Sequence, residues 1–255
     1  MSFVAIIPSR MKSTRLPEKP LKDIGGKPMV VRVAERAALA GADLVVVATD
    51  HKSIAEACEK HQVKVLMTRE DHPTGTDRLS EAVRALSLDD DTVVVNVQGD
   101  EPLIPIDVIQ TVARTLVEHP DCAIATAAHT IYDIESFKNP NVVKVEVNAK
   151  GEAMTFSRAP QPWPRDQFRK NDRELPENFS ALHHIGLYAY RASFLKLFPT
   201  LERAPIEALE SLEQLRAMWH GHKIAVAILK ENLPAGVDTE EDLERVRAIW
   251  QKNHA

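Results

Sequence analysis

Residues 3–31, FVAIIPSRMKSTRLPEKPLKDIGGKPMVV, decide the fold because an apolar run passes directly into a basic loop. Residues 3–7 are continuously apolar, which is typical of a parallel strand covered on both faces. We expect Pro8 to end the hydrogen-bond ladder of this strand, because proline has no N–H to donate. The residues that follow should therefore lie at the carboxyl edge of a parallel sheet, where open α/β sheets bind their ligands.

The loop after this strand concentrates positive charge on a stiff backbone. Its five basic residues are Arg10, Lys12, Arg15, Lys19 and Lys22. Prolines in the loop fix φ and reduce the entropy lost when a ligand orders it. Cations at this edge favour a phosphate-rich ligand, although a solvated surface loop has the same composition. Neither GxxxxGK[ST] nor GxGxxG follows the strand, so side chains would carry the phosphates, with Arg10 as a planar fork and Lys19 as a point charge.

Beyond this loop, apolar strand-like runs alternate with helical patterns. Strands are predicted at residues 44–48, 92–97, 123–128, 142–147, 185–190 and 224–229, and helices at 52–60, 77–86, 105–118, 205–219 and 240–252. This alternation predicts an α/β fold with a doubly wound, mostly parallel sheet of the Rossmann type. The proline-rich and charged stretch 160–177 predicts a long loop or flap. We expect a single domain over 1–255, with an inserted smaller flap or dimerisation lobe at roughly 129–190.

Composition narrows the function classes. The chain has 255 residues, of which 44% are hydrophobic, and this is enough to bury one large α/β core. Its formal net charge of −5 argues against nucleic acid as a partner, despite the basic loop. The two cysteines, Cys58 and Cys122, form neither a metal motif nor a disulfide framework. Because the sequence shows no signal-peptide or membrane-spanning stretch, we expect a cytoplasmic protein without a membrane partner.

Two aspartates that follow predicted strands are candidate metal ligands. Asp100 lies in the run TVVVNVQGDEPLI at 92–104, at the same sheet edge as the basic loop. A carboxylate facing phosphate-binding cations suits Mg²⁺, which takes one or two protein carboxylates and completes its shell with phosphate and water. A turn or helix-capping role for Asp100 fits the spacing equally well. Asp238 follows the last predicted strand, but a helix cap at Asp238 itself, or at Thr239 with Asp242, explains that pattern too.

Several short motifs together resemble those of one enzyme family. In family order they are PSR at 8–10, RLP at 15–17, KPL at 19–21, GKPM at 26–29, TGTDR at 74–78, VQGDEP at 97–102, Arg158, HIGLY at 184–188, LEQLR at 212–216 and GVD at 236–238. This series closely resembles the 3-deoxy-manno-octulosonate cytidylyltransferases, which make CMP-KDO from CTP and the acidic sugar KDO. The resemblance spans nearly the whole chain and implies a nucleotide-diphospho-sugar transferase-like fold.

The resemblance also implies roles for individual residues. It makes Asp100 and Asp238 the Mg²⁺ ligands and places both in catalysis with Arg10 and Lys19. The nucleotide site that it implies is Arg10, Ser13, Arg15, Lys19, Thr74, Gly75, Thr76, Asp77, Arg78 and Gln98. The KDO site that it implies is Gln98, Arg158, His184, Tyr188, Glu213 and Gln214. The choice of cytosine comes from the resemblance alone.

The implied reaction is an in-line attack by the anomeric 2-hydroxyl of KDO on the α-phosphorus of CTP, with release of pyrophosphate. The family further implies a homodimer and a role in lipopolysaccharide biosynthesis. A sialic-acid cytidylyltransferase is an alternative with the same sheet, although its amino-terminal loop is usually richer in Gly and Ser than RMKSTRLPEK. A non-catalytic nucleotide-sensing module is a second alternative, which a missing metal carboxylate or phosphate cation would favour; none is missing here.

Overall fold

The structure is a computed structural model that describes residues 1–11, 13, 15–177, 179–230, 233–234 and 236–254, without the side chains of 253 and 254. Lys12, one of the cations of the predicted phosphate loop, lies outside the described residues.

Strands and helices alternate along most of the chain. The strands are β1 (Val4–Ser9), β2 (Asp23–Ile24), β3 (Lys27–Pro28), β4 (Leu44–Thr49), β5 (Lys64–Met67), β6 (Val93–Asn96), β7 (Ile124–Thr130), β8 (Lys144–Val147), β9 (Ala153–Ser157), β10 (Leu182–Arg191) and β11 (Ile224–Leu229). The helices are α1 (Met29–Leu39), α2 (Lys52–Lys60), α3 (Gly75–Ala85), α4 (Ile106–Glu118), α5 (Ile134–Lys138), α6 (Arg165–Phe168), α7 (Ala192–Leu197), α8 (Pro205–Glu210), α9 (Gln214–Trp219) and α10 (Glu240–His254).

Nine of the described strands form one sheet, and its central part is parallel. Seven of them follow the order β11-β7-β10-β6-β1-β4-β5, while β8 pairs with β10 and β9 pairs with β8. Strands β6, β1, β4 and β5 are parallel to one another, and β11 is parallel to β7. Strand β10 is antiparallel to both of its neighbours in this order, β6 and β7. The predicted α/β fold with a doubly wound, mostly parallel sheet is confirmed.

Helices cover both faces of this sheet. On one face, α1, α2 and α4 contribute side chains such as Val33, Ile54 and Ile109 to a large buried cluster. On the other face, α3 and α7 contribute Leu79 and Phe194 to a second cluster. The central strands are thus apolar on both sides, which is why the sequence shows them as continuous apolar runs.

The first strand runs further than the sequence suggested. We expected Pro8 to end the ladder of β1, but Pro8 and Ser9 still pair with β4. The carbonyl of Ile6 accepts a hydrogen bond from Val97, so alternate residues, including Pro8, face β6. Strand β6 has already ended at Asn96. The missing N–H of Pro8 therefore removes no ladder bond.

The predicted helix over 205–219 is two helices. Helix α8 ends at Glu210, the next residue, Ser211, has φ 51° and ψ 47°, and α9 starts at Gln214. A residue in the left-handed region cannot continue a right-handed helix, so the chain turns there. This turn directs Glu213 and Gln214 towards the carboxyl edge of the sheet.

The predicted flap has local structure of its own. Within residues 160–177, α6 forms a single turn of helix. Phe168 packs against Phe137, with ring centroids 6.2 Å apart, and both belong to a small apolar cluster with Ile131 and Leu175. The end of the predicted lobe, β10, is a strand of the central sheet.

Helix α10 ties the basic loop to the segment before the helix. Leu16 of the loop shares one buried cluster with Val237, Leu243 and Val246. This cluster holds the neighbouring Asp238 close to the loop. None of the helices in the described part of the chain has the length and apolar character needed to cross a membrane.

Candidate active site

Two cavities open side by side at the carboxyl edge of the sheet. The first, of about 410 Å³, is lined by Asn96, Tyr188, Tyr190, Phe198, Glu213 and Gln214 among others, and we call it the aromatic cavity. The second, of about 480 Å³, is lined by Arg10, Arg15, Lys19, Asp100 and Asp238 among others, and we call it the charged cavity. Pro8, Ser9, Arg10 and Gln98 border both cavities, so the two form one crevice.

Two glycines bring the walls of the charged cavity together. A Cβ atom on Gly99 would lie 3.2 Å from the carbonyl oxygen of Pro8, so a glycine lets the ends of β1 and β6 approach. A Cβ atom on Gly236 would lie 3.2 Å from the carbonyl oxygen of Asp100. That same carbonyl accepts a 2.8 Å hydrogen bond from the amide of Val237. This close backbone contact places Asp238 beside Asp100, although 138 positions separate them in the sequence (238 − 100).

Lys19 lies between the two aspartates. Its Nζ donates to Asp100 Oδ2 at 2.7 Å and to Asp238 Oδ1 at 3.1 Å. The other oxygen of Asp238, Oδ2, pairs with the guanidinium of Arg15 at 3.0 Å. Burial lowers the pKa of the Lys19 ammonium, but attraction to Asp100 and hydrogen bonds to both carboxylates outweigh burial, and the net pKa is raised. Lys19 therefore carries its charge at neutral pH.

The capping alternatives for the two aspartates are resolved by their contacts. Helix α10 is capped by Thr239, whose Oγ1 accepts from the amide of Asp242 while Asp242 accepts from the amides of Asp238 and Thr239. The carboxylate of Asp238 is left for Lys19 and Arg15. Asp100 lies in a turn that precedes α4, and the residue before that helix is Pro105. The carboxylate of neither aspartate caps a helix.

The two carboxylates have the chemistry of a hard-cation site. Both point at one ammonium group, which shows that a positive charge is stabilised between them. Within the described ranges, no group of three or more His, Cys, Asp or Glu residues has the arrangement of a metal site. Two carboxylates with room for phosphate and water fit Mg²⁺ better than a metal that needs an all-protein cage.

Glu101, the acidic neighbour of Asp100, is less suited to a cation. Burial, and then repulsion from Asp100, raise the pKa of Glu101 to about 7. The Glu101 carboxyl is therefore protonated more readily than an ordinary glutamate, and a protonated carboxyl binds cations poorly.

The start of α3 forms one wall of the aromatic cavity. Thr74 caps this helix, because its Oγ1 accepts from the amide of Asp77 at 3.2 Å and donates to the Asp77 carboxylate at 2.7 Å. Gly75 and Thr76 then line the cavity, where Gly75 adds no side chain and allows a ligand close to the backbone. A helix cap and a ligand-binding wall are combined in this segment.

Aromatic and acidic side chains form the facing wall. Tyr188 and Tyr190 of β10 stack with ring centroids 5.7 Å apart and an interplanar angle of 28°. Glu213 contacts the Thr76 hydroxyl directly, so this wall joins the start of α3 at that point. Burial raises the pKa of Glu213, and hydrogen bonds from Thr74 and Thr76 reduce this shift. The wall therefore offers ring faces together with polar groups, as sites for polyhydroxylated ligands do.

A comparison with known families agrees with this geometry. The family model described as cytidylyltransferase matches residues 4–224. This chain belongs to the cytidylyltransferase family. The predicted resemblance is confirmed, and the protein is a nucleotidyltransferase enzyme.

A solved cytidylyltransferase structure is similar over almost the whole chain. It is CMP:2-keto-3-deoxy-manno-octonic acid synthetase, solved in complex with CTP. The two proteins are 39% identical, the match covers 99% of each chain, and the TM-score is 0.88. The fold that holds the crevice is therefore shared with this solved structure over almost the whole chain.

Most of the predicted site residues of this cytidylyltransferase meet in the crevice. Those that line the charged cavity are Arg10, Ser13, Arg15, Lys19, Gln98, Asp100 and Asp238. Those that line the aromatic cavity are Arg10, Thr74, Gly75, Thr76, Arg78, Gln98, Tyr188, Glu213 and Gln214. Within this set, the guanidinium of Arg78 is already held by Asp50 at 2.6 Å, so Arg78 braces the wall.

Three predicted residues lie behind or beside the cavity walls. Asp77 is buried as the partner of the α3 cap. His184 contacts Thr126 Oγ1 at 3.1 Å and packs beneath Tyr188, and burial, followed by the charge of His183, lowers its pKa to about 3. Arg158 donates to the carbonyls of Glu210 at 2.6 Å and Pro140 at 3.0 Å. Their direct roles in binding stay predictions.

Sequence reasoning missed several residues that line the aromatic cavity. Asn96 and Tyr190 come from strands, Ser9 ends β1, and His72 precedes the TGTDR segment. For Asn96 a signal was available, because a lone amide in a run of valines predicts a buried polar group that needs a partner. Ser9, Tyr190 and His72 carry no comparable local pattern.

A buried ion pair fixes the helices that carry Glu213 and Gln214. The Arg216 guanidinium donates to Glu207 Oε2 at 2.9 Å and to Oε1 at 2.6 Å. Arg216 also lies over the ring of Phe198, 4.2 Å from its centroid. The pair thus links α8, α9 and a residue of the cavity wall.

We expect Glu207→Ala to lower the free energy of unfolding by about 3–5 kcal/mol, because it leaves a buried guanidinium unpaired. Equilibrium urea denaturation followed by circular dichroism measures this change. Glu202→Ala removes an exposed acid from the same region and should change the free energy by less than about 0.5 kcal/mol. Equal effects of the two substitutions would contradict a structural role for the buried pair.

Proposed function

We propose that this cytidylyltransferase activates KDO: CTP and 3-deoxy-D-manno-octulosonate give CMP-KDO and diphosphate, for lipopolysaccharide biosynthesis. The observation that carries the proposal is the placement of Lys19 between Asp100 and Asp238, directly beside a cavity lined by aromatic and hydroxyl-binding groups. The similarity to a CMP:2-keto-3-deoxy-manno-octonic acid synthetase over 99% of both chains supports the choice of sugar.

In this proposal the triphosphate of CTP occupies the charged cavity. Arg10, Arg15 and Lys19 line it, and Arg10 reaches both cavities. The guanidinium forks suit pairs of phosphate oxygens, and the compact Lys19 ammonium suits a single phosphate. The base and ribose then lie towards Thr74, Gly75 and Thr76.

The sugar occupies the aromatic cavity next to the α-phosphate. Gln98 is at the border of the two cavities, and Tyr188, Glu213 and Gln214 form the wall beyond it. Amide, carboxyl and phenol groups are able to meet each hydroxyl of a polyhydroxylated acid as donor or acceptor. Arg158 remains the predicted partner of the sugar carboxylate, and its present bonds to backbone carbonyls leave that role to experiment.

Asp100 and Asp238 are the residues that would hold Mg²⁺. When bound, this ion supplies positive charge to the phosphates and lowers the pKa of a coordinated hydroxyl. Two carboxylates that already share one cationic partner have the donor set for it. The family resemblance is also the support for a homodimer, and light scattering tests the oligomeric state. The cytoplasmic location that we propose rests on the sequence, whose two cysteines form no disulfide framework.

The transfer itself forms one bond and breaks one bond. The 2-hydroxyl oxygen of KDO attacks the α-phosphorus, and the bond from that phosphorus to the β-phosphate oxygen breaks, so the electron pair leaves with diphosphate. The hydroxyl proton passes to solvent. Lys19 and Arg10 stabilise the charge that builds up on the phosphate oxygens, and most of the acceleration comes from positioning and charge.

Pyrophosphate release from CTP tests the proposal. Three parallel reactions with Mg²⁺ contain KDO, N-acetylneuraminate or no sugar, and a fourth contains KDO with excess EDTA. We expect release with KDO and Mg²⁺ only. Release with N-acetylneuraminate instead of KDO would overturn the sugar assignment, and full activity in EDTA would overturn the Mg²⁺ assignment.

A further inference from the structure

Asn96 is a buried polar residue in an otherwise apolar strand. Val93, Val94 and Val95 are buried core residues, and Asn96 itself is only 4% exposed. Side chains alternate along a strand, and Val94 packs in the cluster on the α3 side of the sheet. Asn96 therefore points to that side, where it lines the aromatic cavity.

The protein provides a partner for one end of the Asn96 amide. Burial raises the pKa of the Tyr190 hydroxyl, whereas the side chains of Thr76 and Asn96 act in the opposite direction. Groups that donate to a phenolic oxygen have this effect, so the amide nitrogen of Asn96 faces Tyr190. The other end, Oδ1, has no hydrogen-bond partner among the described residues.

A second orphaned group lines the same cavity. Gln214 is 7% exposed, and its Nε2 also lacks a hydrogen-bond partner in the described part of the chain. Ser9 Oγ is a third such atom at this cavity. Buried polar atoms without partners are rare in folded proteins, and three at one cavity indicate that a ligand completes them. Asn96 offers an acceptor and Gln214 a donor, and hydroxyl groups are able to satisfy both.

We propose that Asn96 is a sugar-binding residue, whose Oδ1 accepts a hydrogen bond from a hydroxyl group of the acceptor sugar. The inference rests on the proposed function, because KDO is the sugar in question. In the pairing of β6 with β10, Asn96 lies opposite Tyr188, a member of the predicted KDO site. The unpartnered Gln214 belongs to the same predicted set. These two neighbours support the sugar as the source of the hydroxyl. Thr76 of the predicted nucleotide site lines the same cavity, so the KM for CTP in the test below separates the sugar from the ribose.

This contact contributes to specificity as well as to binding. A sugar analogue without the hydroxyl would leave Oδ1 buried and unpaired, so the enzyme would discriminate against it. A side chain that merely holds Tyr190 in place would not discriminate in this way.

The test compares Asn96→Ala with Asn141→Ala in the whole chain. Asn141 is exposed and lines neither cavity, so the same substitution there is the matched control. We expect Asn96→Ala to raise the KM for KDO about tenfold or more, the value of one lost neutral hydrogen bond, with the KM for CTP changed less than about twofold. Asn141→Ala should leave the KM for KDO within about twofold.

Several outcomes would overturn the inference. These outcomes are an unchanged KM for KDO in folded Asn96→Ala, an equal increase of that KM in both variants, and an increase of the KM for CTP alone. If Asn96→Ala does not fold, Asn96→Ser serves instead, since its short hydroxyl cannot reach the position of Oδ1. Turnover of KDO by the unaltered enzyme tests the proposed function separately. A failure of the proposed function is therefore distinguishable from a failure of the proposed role of Asn96.

Discussion

Asp100→Asn is expected to lower kcat/KM for CTP and KDO by about 1,000-fold or more. The substitution preserves size and can still accept a hydrogen bond from Lys19, whose Nζ lies 2.7 Å from Asp100 Oδ2. It removes the negative charge that a divalent cation requires at this position. Steady-state rates of pyrophosphate release over a Mg²⁺ series measure both the loss and the Mg²⁺ concentration that gives half-maximal activity.

Glu101→Gln is the control for this prediction. It removes an acidic group one residue away whose pKa burial raises to about 7, so this group carries a negative charge less readily than an ordinary glutamate. We expect its kcat/KM to stay within about tenfold of the unaltered enzyme. Near-normal turnover of Asp100→Asn at saturating Mg²⁺ would remove Asp100 from the metal site.

Lys19→Met is expected to lower kcat by about 100- to 1,000-fold, because it removes a preorganised positive charge beside the reacting phosphate. The side chain is 17% exposed and fills a position between two carboxylates. Methionine preserves most of its length and apolar stem, so a loss of packing is not the cause. The measurement is kcat at saturating CTP and KDO.

Lys22→Met, in the same loop but outside both cavities, is the matched control for Lys19 and should leave kcat within about threefold. The Mg²⁺ response separates the two large effects. Asp100→Asn should need more Mg²⁺ for half-maximal activity, whereas Lys19→Met should not, since both carboxylates remain and lose a competing cation. A higher Mg²⁺ requirement in Lys19→Met would contradict the role of Lys19 as a phosphate-stabilising cation.

The fold could be read from the sequence wherever burial repeats regularly. The helix predicted at 52–60 and the strand predicted at 224–229 have the observed bounds of α2 and β11. The helix has a clear apolar period, the strand is a continuous apolar run, and a polar residue follows each of them. Patterns of this kind record which face is buried, and burial is what forms these elements.

The apolar pattern of the sequence does not predict local backbone conformation. The break between α8 and α9 depends on the left-handed conformation of Ser211. A glycine would indicate such a conformation in the sequence, whereas a serine does not. Pro8 stays in a strand because its neighbour β6 stops short on the side that Pro8 faces, which is a property of the assembled sheet. Local rules are overridden here by tertiary context.

The site was predicted in part for the same reason. Arg10, Lys19 and Asp100 follow strands that the apolar pattern locates, so their convergence follows from the topology of a parallel sheet. The position of Asp238 required the family resemblance, because tertiary contacts bring it into place, among them the hydrogen bond of the Val237 amide to the Asp100 carbonyl. Asn96 was not predicted because it is a neutral amide and belongs to none of the charged motifs.

The most direct test of the account is ³¹P NMR of a reaction that contains CTP, KDO and Mg²⁺. The predicted attack at the α-phosphorus converts the triphosphate signals into equal amounts of pyrophosphate and a new phosphodiester, and only when KDO is present. Formation of CDP with inorganic phosphate would show cleavage at the γ-phosphorus, and formation of CMP without a sugar phosphodiester would show hydrolysis. Either result would contradict a nucleotidyl transfer to KDO.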